Sequence, residues 1–284
     1  MRLNNATASV FVPDGRPISE ALKRITRVGI GAHQDDLEFM AFHGIAACYD
    51  SDAEWFGGVT CTNGSGSPRA GVYASFTDSQ MTEERHKEQD QAAIAGCYGV
   101  MIQLGYPSST ITSTTDAPLQ KDIQEILLAT RPKIVYTHNP ADKHETHIGV
   151  AIAVLKALRA LPRPDRPSTV WGCEMWRDLD WLPDEDKVLM DLSGKEALAT
   201  MLNSAFKSQI AGGKRYDLGI LGRRRAHGTF LDPRATDKLT EVAFGIDLSP
   251  LVTDESLEIV EYVCSFIDKF KSEVRQKLKT RLGS

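Results

Sequence analysis

The stretch AHQDD, residues 32–36, places side chains that bind metals and move protons directly after an apolar run. His33 and Asp36 are three positions apart, so on a helical turn their side chains face the same way. Asp35 and Asp36 are adjacent, so their side chains cannot both lie on the face that His33 shares with Asp36. This indicates that one carboxylate binds a metal ion while the other moves protons. The alternative interpretation is an N-cap, because Asp is common at the start of a helix.

A second polar cluster, THNPADKHETH, occupies residues 137–147. It contains His138, Asp142, His144 and His147, and so holds three of the seven histidines of the chain. Together the two clusters offer nitrogen and oxygen ligands without thiolate. Three such ligands and an open position for water are typical of a catalytic zinc site, and other divalent metals accept the same ligands. The alternative is that these residues cap a helix and lie on a solvated face.

Apolar runs alternate with helical patterns along the chain. This alternation predicts an α/β fold of three layers, a Rossmann-like, mostly parallel sheet between helices. Ligands of such folds bind beyond the carboxyl ends of the strands, where His33 and His138 fall. The predicted strands occupy residues 24–32, 53–62, 99–105, 133–138, 168–176 and 187–193. The predicted helices occupy residues 35–50, 81–97, 118–130, 144–161 and 194–210.

Two segments are predicted to be long loops. Residues 63–79 are rich in Gly and Ser and follow a strand, and residues 211–237 show little periodicity. Residues 256–280 form an amphipathic helical pattern with a basic end. We therefore expect one main domain over residues 1–250 and a C-terminal helical extension over residues 251–284, packed on the domain or on a subunit partner.

Composition narrows the classes of function. A net charge of −5 gives no electrostatic support for a nucleic-acid partner. No apolar run approaches the roughly 18 residues of a membrane span, and the N-terminus lacks a secretion-signal pattern. The composition is compatible with a homo-oligomer. The five cysteines are widely spaced, and four in apolar surroundings predict buried thiols in a reducing, cytoplasmic setting: Cys48, Cys61, Cys97 and Cys173.

Three weaker motifs have functional and structural interpretations. Gly29 and Gly31 follow a strand, but Gln34 replaces the third glycine of a dinucleotide-binding GxGxxG, so a tight strand exit is the simpler interpretation. The run Arg223–Arg225 is interpreted as a site for an anionic substrate group or, preferably, as a solvated loop. His227, which follows it, is only a weak site candidate.

Aromatic residues beside carboxylates suggest a sugar contact. Trp176 and Trp181 follow a predicted strand together with Arg177, Asp178 and Asp180. An indole ring can stack on a pyranose face, which makes Trp176 a candidate for substrate binding. Ordinary packing of both indoles in the core is an equally good interpretation.

In order and spacing, these motifs resemble the PIG-L/LmbE-like family of metal-dependent N-deacetylases. AHQDD resembles the AHPDD of that family, with Gln34 in place of proline. HETH resembles its H-x-D-H, with Thr146 in place of Asp. The other matches are TNG at 62–64, an R-x-x-E from Arg85 to Glu88, and FKSQI at 206–210.

The resemblance covers roughly residues 24–230 and implies an LmbE-like fold. It implies that the metal ligands are His33, Asp36 and His147. By the same resemblance, Asp35 is the general base, and His144 stabilises the oxyanion or donates a proton.

The resemblance also implies that Arg85 contacts the substrate. Asp142 is expected on the substrate side too, where it orients the imidazole of His144. Thr146, in place of a carboxylate, removes a group that could polarise a neighbouring histidine.

We expect a hydrolase that uses zinc, or else Fe2+ or another divalent metal, to remove the acetyl group from an N-acetylated amino sugar or its conjugate. The sugar rests on the resemblance, whereas amide hydrolysis by water activated at the metal also follows from the ligand types. One alternative is an amidase for a larger acyl group. Another is a non-catalytic metal-binding protein, although such a protein would not need Asp35.

Overall fold

The computed structural model describes residues 1–112 and 117–283 and contains one eight-stranded sheet. Its strands are β1 Ser9–Phe11, β2 Arg27–Gly31, β3 Phe56–Thr62, β4 Val100–Tyr106, β5 Ile134–His138, β6 Thr169–Cys173, β7 Lys187–Asp191 and β8 Val242–Asp247. They lie in the order β1-β4-β3-β2-β5-β6-β8-β7. The five strands from β4 to β6 in this order are parallel. At the edges, β1 pairs antiparallel with β4, and β8 pairs antiparallel with β6 and β7.

Helices cover both faces of the sheet and bury its apolar strands. Every residue of β3 is buried, as expected for a strand packed on both sides. Two hydrophobic cores result, one for each face. The helices are α1 Ile18–Arg24, α2 Asp36–Met40, α3 Phe42–Tyr49, α4 Asp78–Ala95, α5 Ser108–Ile111, α6 Ala117–Thr130, α7 Glu145–Ala160, α8 Glu196–Asn203, α9 Lys207–Ala211, α10 Tyr216–Phe230, α11 Ser249–Thr253 and α12 Ile259–Leu282.

The strand order creates a crevice between β2 and β5. From β2 the chain continues to β3 on one side, whereas β5 pairs with β2 on the other. Loops that leave the carboxyl ends of two such strands diverge and leave room for a ligand. The turn into α2 follows β2 and the loop into α7 follows β5, so both polar clusters meet at this crevice.

The structure confirms the predicted α/β fold and corrects several elements. Residues 211–237 are not one loop, because α10 occupies 216–230. The predicted helix 35–50 is two helices, α2 and α3, which meet at Ala41. The predicted helix 194–210 likewise divides into α8 and α9. Strands β1 and β8 were not predicted.

The cysteines and the C-terminal helix also differ from expectation in detail. Cys97 is exposed at a positive φ of 53°, whereas Cys48, Cys61 and Cys173 are buried as predicted. Helix α12 packs its first half through Val263 and Phe266. The domain boundary at residue 250 stays a prediction. Among residues 1–112 and 117–283, no helix is both long and apolar enough to cross a membrane.

Two glycines test how tightly the helices pack. A Cβ on Gly149 in α7 would lie 2.7 Å from the carbonyl oxygen of Ile111, whereas one on Gly219 in α10 would meet nothing within 4 Å. We expect Gly149→Ala to lower the free energy of unfolding by about 1–3 kcal/mol because backbone must move. Gly219→Ala should raise it by up to about 1 kcal/mol, since alanine favours a helix. Urea unfolding of both variants measures the two changes in the free energy of unfolding. Equal changes would contradict the close packing of Gly149 against Ile111.

Candidate metal centre and cavity

Three donor atoms from the two clusters lie almost equally far apart. Nε2 of His147 is 3.3 Å from Nδ1 of His33 and 3.5 Å from Oδ2 of Asp36. The third side of the triangle, from His33 Nδ1 to Asp36 Oδ2, is 3.4 Å. A tetrahedral ion with bonds of about 2.1 Å holds its ligand atoms about 3.4 Å apart. The triangle therefore fits one face of a four-coordinate divalent ion.

Asp142 supports His147. Its Oδ2 lies 3.1 Å from His147 Nδ1, which keeps the proton on Nδ1 and leaves the Nε2 lone pair free for a metal. The expectation that Asp142 orients His144 is therefore wrong, because its imidazole partner is His147. Asp142 also accepts hydrogen bonds from the backbone N–H groups of Trp176 and Arg177, at 3.2 and 3.1 Å. It thereby ties the loop after β6 to the metal site.

His138 lies behind the triangle. Its ring stacks on His147 with centroids 3.9 Å apart, and its Nε2 accepts a 2.9 Å hydrogen bond from the backbone N–H of Ala32. His138, Asp142 and His147 form a second group close enough to hold an ion. However, the Nε2 lone pair of His138 is already engaged, and His147 Nδ1 faces Asp142. The geometry therefore favours the set with His33 and Asp36.

Asp35 sits in a strained turn. Its φ of 95° is in the left-handed region, which costs a non-glycine residue about 1–3 kcal/mol unless its surroundings hold it. Its backbone N–H donates to Oε1 of Gln89 at 3.1 Å, and Gln89 Nε2 donates to Glu38 Oε1 at 2.8 Å. On the other side, Asp35 Oδ2 lies 3.4 Å from Nη2 of Arg85. Buried partners thus hold this carboxylate away from the direction of Asp36.

Arg85 and Gln34 brace the same turn. The guanidinium of Arg85 donates to the Ser67 hydroxyl and to the backbone carbonyl of Gln34. Gln34 Nε2 donates to the Thr62 carbonyl at 3.0 Å and to Gln103 Oε1 at 3.2 Å. The residue that stands in place of the family proline therefore anchors the turn to β3 and β4 through its side chain.

The triangle opens into a cavity of about 290 Å³. Six of the eight predicted site residues line it: His33, Asp35, Asp36, Arg85, His144 and Trp176. His147 and Asp142 lie behind this wall and are buried. Trp181 does not join Trp176 there. Instead it lines a separate groove beside α12.

The cavity wall also contains residues that the sequence did not single out as site residues, among them Phe39, Gln209 and Tyr216. The ring of Tyr216 lies 5.8 Å from that of Trp176 and 6.2 Å from that of Phe39, so the three rings form an aromatic wall. Tyr216 was missed because its segment was interpreted as a loop. Gln209 belongs to the FKSQI match, and the preceding Ser208 is fastened by its N–H and hydroxyl to Glu88 of α4, at 2.6 and 2.7 Å.

The basic run in α10 corrects another prediction. Arg224 is completely buried, and its Nη2 donates to the carbonyls of Glu38 and Phe39 at 3.0 and 2.9 Å. These carbonyls end α2, so Arg224 caps the helix that begins with Asp36. Arg223 donates to the carbonyl of Met175 in the cavity wall. The run is neither a solvated loop nor, at Arg224, a substrate anion site.

The last arginine of the run and two histidines outside it also have structural contacts. Arg225 faces solvent and forms a 3.3 Å ion pair with Glu241. His227 is buried, stacks on Phe244 and lies 3.2 Å from Glu174 Oε1, outside the cavity wall. His43 contacts the hydroxyl of Tyr136 at 2.9 Å.

The two adjacent carboxylates have opposite electrostatic surroundings. Burial raises the pKa of Asp35 well above its usual value, and Arg85 opposes this only in part. Burial also acts to raise the pKa of Asp36, but His147 and His138 outweigh it and hold that pKa well below its usual value. Carboxylates pushed apart in this way serve different roles, one ionised and one able to carry a proton.

The pKa values of three imidazoles at the site are lowered, which favours their neutral form. Burial lowers the pKa of His33, although Asp36 opposes the shift, and it lowers the pKa of His138 to about 4. Burial also lowers the pKa of His144, helped by His147 and His33. Neutral imidazoles are the form that binds metals and that donates a hydrogen bond from a single N–H.

The segment that holds both clusters matches a known family. Residues 28–158 match the family model described as PIG-L, GlcNAc-PI de-N-acetylase, so the chain carries a PIG-L domain. This confirms the resemblance inferred from the motifs. No curated protein matches the chain.

Solved structures share the fold at low sequence identity. N,N'-diacetylchitobiose deacetylase from Pyrococcus horikoshii aligns with a TM-score of 0.60 and 13% identity, over 85% of this chain and 90% of that one. The A40926 pseudoaglycone deacetylase aligns with a TM-score of 0.57 and 18% identity, over 79% of this chain and 97% of that one. GalB, the 4-carboxy-2-hydroxymuconate hydratase from Pseudomonas putida, aligns with a TM-score of 0.57 and 14% identity, over 78% of this chain and 95% of that one. The fold is therefore shared by deacetylases and a hydratase and does not by itself choose the reaction.

The contact between Asp142 and His147 predicts a change in metal affinity. We expect Asp142→Asn to weaken zinc binding by about 10- to 100-fold, because the imidazole loses its charged partner. Competition with a chromophoric chelator measures this. The matched control is Asp122→Asn, since Asp122 bonds the Tyr106 hydroxyl instead and should leave zinc affinity unchanged. Equal affinities in all three proteins would contradict the role of Asp142.

The buried position of Arg224 predicts a loss of stability. We expect Arg224→Met to lower the free energy of unfolding by about 3 kcal/mol, since two carbonyls lose their buried donor and the carboxylates of Glu241 and Glu174 lose a nearby positive charge. Arg225→Met removes a largely exposed arginine from the same helix and should cost less than about 1 kcal/mol. Chemical denaturation of the two variants compares them, and a small loss in Arg224→Met would refute the capping role.

Proposed function

We propose that this chain is a metal-dependent deacetylase that hydrolyses the acetamide of an N-acetylated amino sugar or of its conjugate. The observation that carries the proposal is the buried Asp35 carboxylate beside a triangle of metal donors in a cavity wall. A site that only stored metal would not need this second carboxylate. The PIG-L domain supports the choice of an acetamide as substrate.

His33, Asp36 and His147 would hold the ion, and zinc suits two imidazoles and one carboxylate with an open position. Fe2+ or another divalent ion suits the same ligands. When bound there, the ion supplies Lewis-acid chemistry, polarising the amide carbonyl and making water more acidic.

Asp35 would take the proton from the attacking water. Burial raises the pKa of Asp35, so the carboxylate holds a proton more firmly than an exposed Asp does. It can then give this proton to the departing amine. The 3.4 Å contact with Arg85 keeps the carboxylate in place and opposes in part the effect of burial on its pKa, which favours the ionised form that accepts the proton.

His144 would act on the developing oxyanion from the other side of the triangle. Its ring lies 5.1 Å from that of His33, and it forms part of the cavity wall. Because burial lowers its pKa, the neutral ring would donate a hydrogen bond rather than carry a positive charge.

The cavity suits one sugar ring. Its volume of about 290 Å³ lies just below the range of about 300–1,000 Å³ for ligand pockets, which favours acetyl over a larger acyl group. Trp176 and Tyr216 offer ring faces on which a pyranose can stack. Arg85 would contact a polar group of the substrate.

We place the enzyme in a reducing, cytoplasmic setting, which the free cysteines support.

Acetate release tests the proposal. We expect zinc-loaded protein to release acetate from at least one of N-acetylglucosamine, its oligomers, its phosphates and its lipid- or thiol-linked conjugates. Asp35→Asn should lower kcat/KM by about 100- to 10,000-fold while zinc affinity is kept, because the base but no ligand is lost. Asp36→Asn should lose zinc and activity together. Asp122→Asn serves as the fully active control.

Each alternative has its own outcome. Release from propionyl or longer acyl amides, but not from acetamides, would favour the larger-acyl amidase. Tight binding of one zinc per chain without release from any amide would favour a non-catalytic metal-binding protein. Full activity in Asp35→Asn would refute the assignment of the base.

A further inference from the structure

Helix α12 carries along its length an apolar stripe that no residue of the described ranges 1–112 and 117–283 covers. Val260, Ile267 and Val274 recur every seven residues and so lie on one face of the helix. They remain 68%, 46% and 40% exposed, and Leu278 and Leu282 extend the same face at 58% and 79%. A row of large aliphatic side chains in water is unfavourable, so this face needs a partner.

The charges beside the stripe divide between the two halves of the helix. At 100° per residue, one flank of the stripe carries the charged residues Glu261, Asp268, Arg275 and Lys279, and Lys271 lies between that flank and the middle of the stripe. The flank is acidic in the first half of α12 and basic in the second. All five side chains are exposed.

We propose that α12 pairs with α12 of a second copy of this chain, antiparallel and around a two-fold axis near the middle of the stripe. In an antiparallel pair the same flank of each helix faces the other, so each acidic half lies beside the partner's basic half. The stripe of one copy covers the stripe of the other.

The first half of α12 is held firmly on the domain, so the helix can present its stripe as a rigid interface. Val263 and Phe266 are buried against the domain. The Tyr262 hydroxyl donates to the carbonyl of Asp247 at 2.7 Å, and Lys269 contacts both oxygens of Asp186 at 2.8 Å. The neighbouring face of the same turns, which carries Val260 and Ile267, stays exposed and is free for the second copy.

Sedimentation of the full chain over a concentration series tests the pairing. We expect a dimer for the native protein and a monomer for Val274→Glu, since a carboxylate enters the apolar seam. Gln276→Glu adds the same charge on the side of α12 away from the stripe and should leave the dimer intact. Zinc affinity and thermal melting of each variant check that the domain stays folded.

Charge reversal tests the orientation. Replacing Lys271, Arg275 and Lys279 with Glu should raise the dimer dissociation constant at least about tenfold, as should replacing Glu261 and Asp268 with Lys. Combining both sets in one chain should restore it to within about threefold, because opposite charges face each other again.

Cross-linking locates the axis. In a protein with Cys97 and Cys264 replaced by Ser, Lys271→Cys should form a disulfide between copies, whereas Leu282→Cys should not, because antiparallel helices hold the two ends about 30 Å apart. A protein that stays monomeric, a dimer that survives Val274→Glu, or cross-linking through Leu282→Cys would overturn the proposal. Monomers that float with anionic phospholipid vesicles would overturn it too and assign the stripe to a membrane surface.

Discussion

The candidate site requires that donor atoms of His33, Asp36 and His147 lie within 3.5 Å of one another. His33 and His147 are 114 positions apart in the chain, so the fold must bring them together. Only two loops that leave neighbouring parallel strands at the same edge can do this with short connections. The pairing of β2 with β5 supplies that edge. The continuous apolar character of the central strands follows from the same need, because a sheet that carries its site at one end is covered by helices on both faces.

A second constraint is that the residue beside Asp36, the carboxylate of the candidate metal site, must point elsewhere. Asp35 meets it by adopting a left-handed φ of 95°, and buried partners offset the strain. The result is a pair of adjacent Asp residues whose pKa values move in opposite directions, because histidines surround one carboxylate and a poorly solvated pocket surrounds the other. This separation is the physical basis for assigning one to binding and one to proton transfer.

Support for the site comes from segments that carry no donor atom. Arg224 in α10 fastens the end of α2, and Glu88 in α4 fastens Ser208 beside the cavity wall. Tyr216, at the start of α10, completes the aromatic wall. Since a hydratase and deacetylases share this fold, such local arrangements rather than the sheet decide which reaction the site can support.

Much of the fold and of the candidate site could be predicted from the sequence wherever the pattern depends on residues close together in the chain. The periodic runs predicted the central strands and most helices to within a few residues, and the two His/Asp clusters predicted a metal site at a strand edge. Prediction failed where the environment decides. Arg224 is as polar as any residue of a solvated loop, yet it is buried because α10 packs under α2. Strand β1, only three residues long, has too little pattern to be recognised.

The sequence by itself determined the residue types, their spacing and the alternation of strands and helices, because these depend on neighbours along the chain. The tertiary structure alone decided that Asp142 supports His147 rather than His144, that Trp176 lines the cavity while Trp181 does not, and that Gln34 anchors the metal-binding turn. Those outcomes depend on distances between segments far apart in sequence. Hydrogen bonds and burial act through space, so no local pattern contains them.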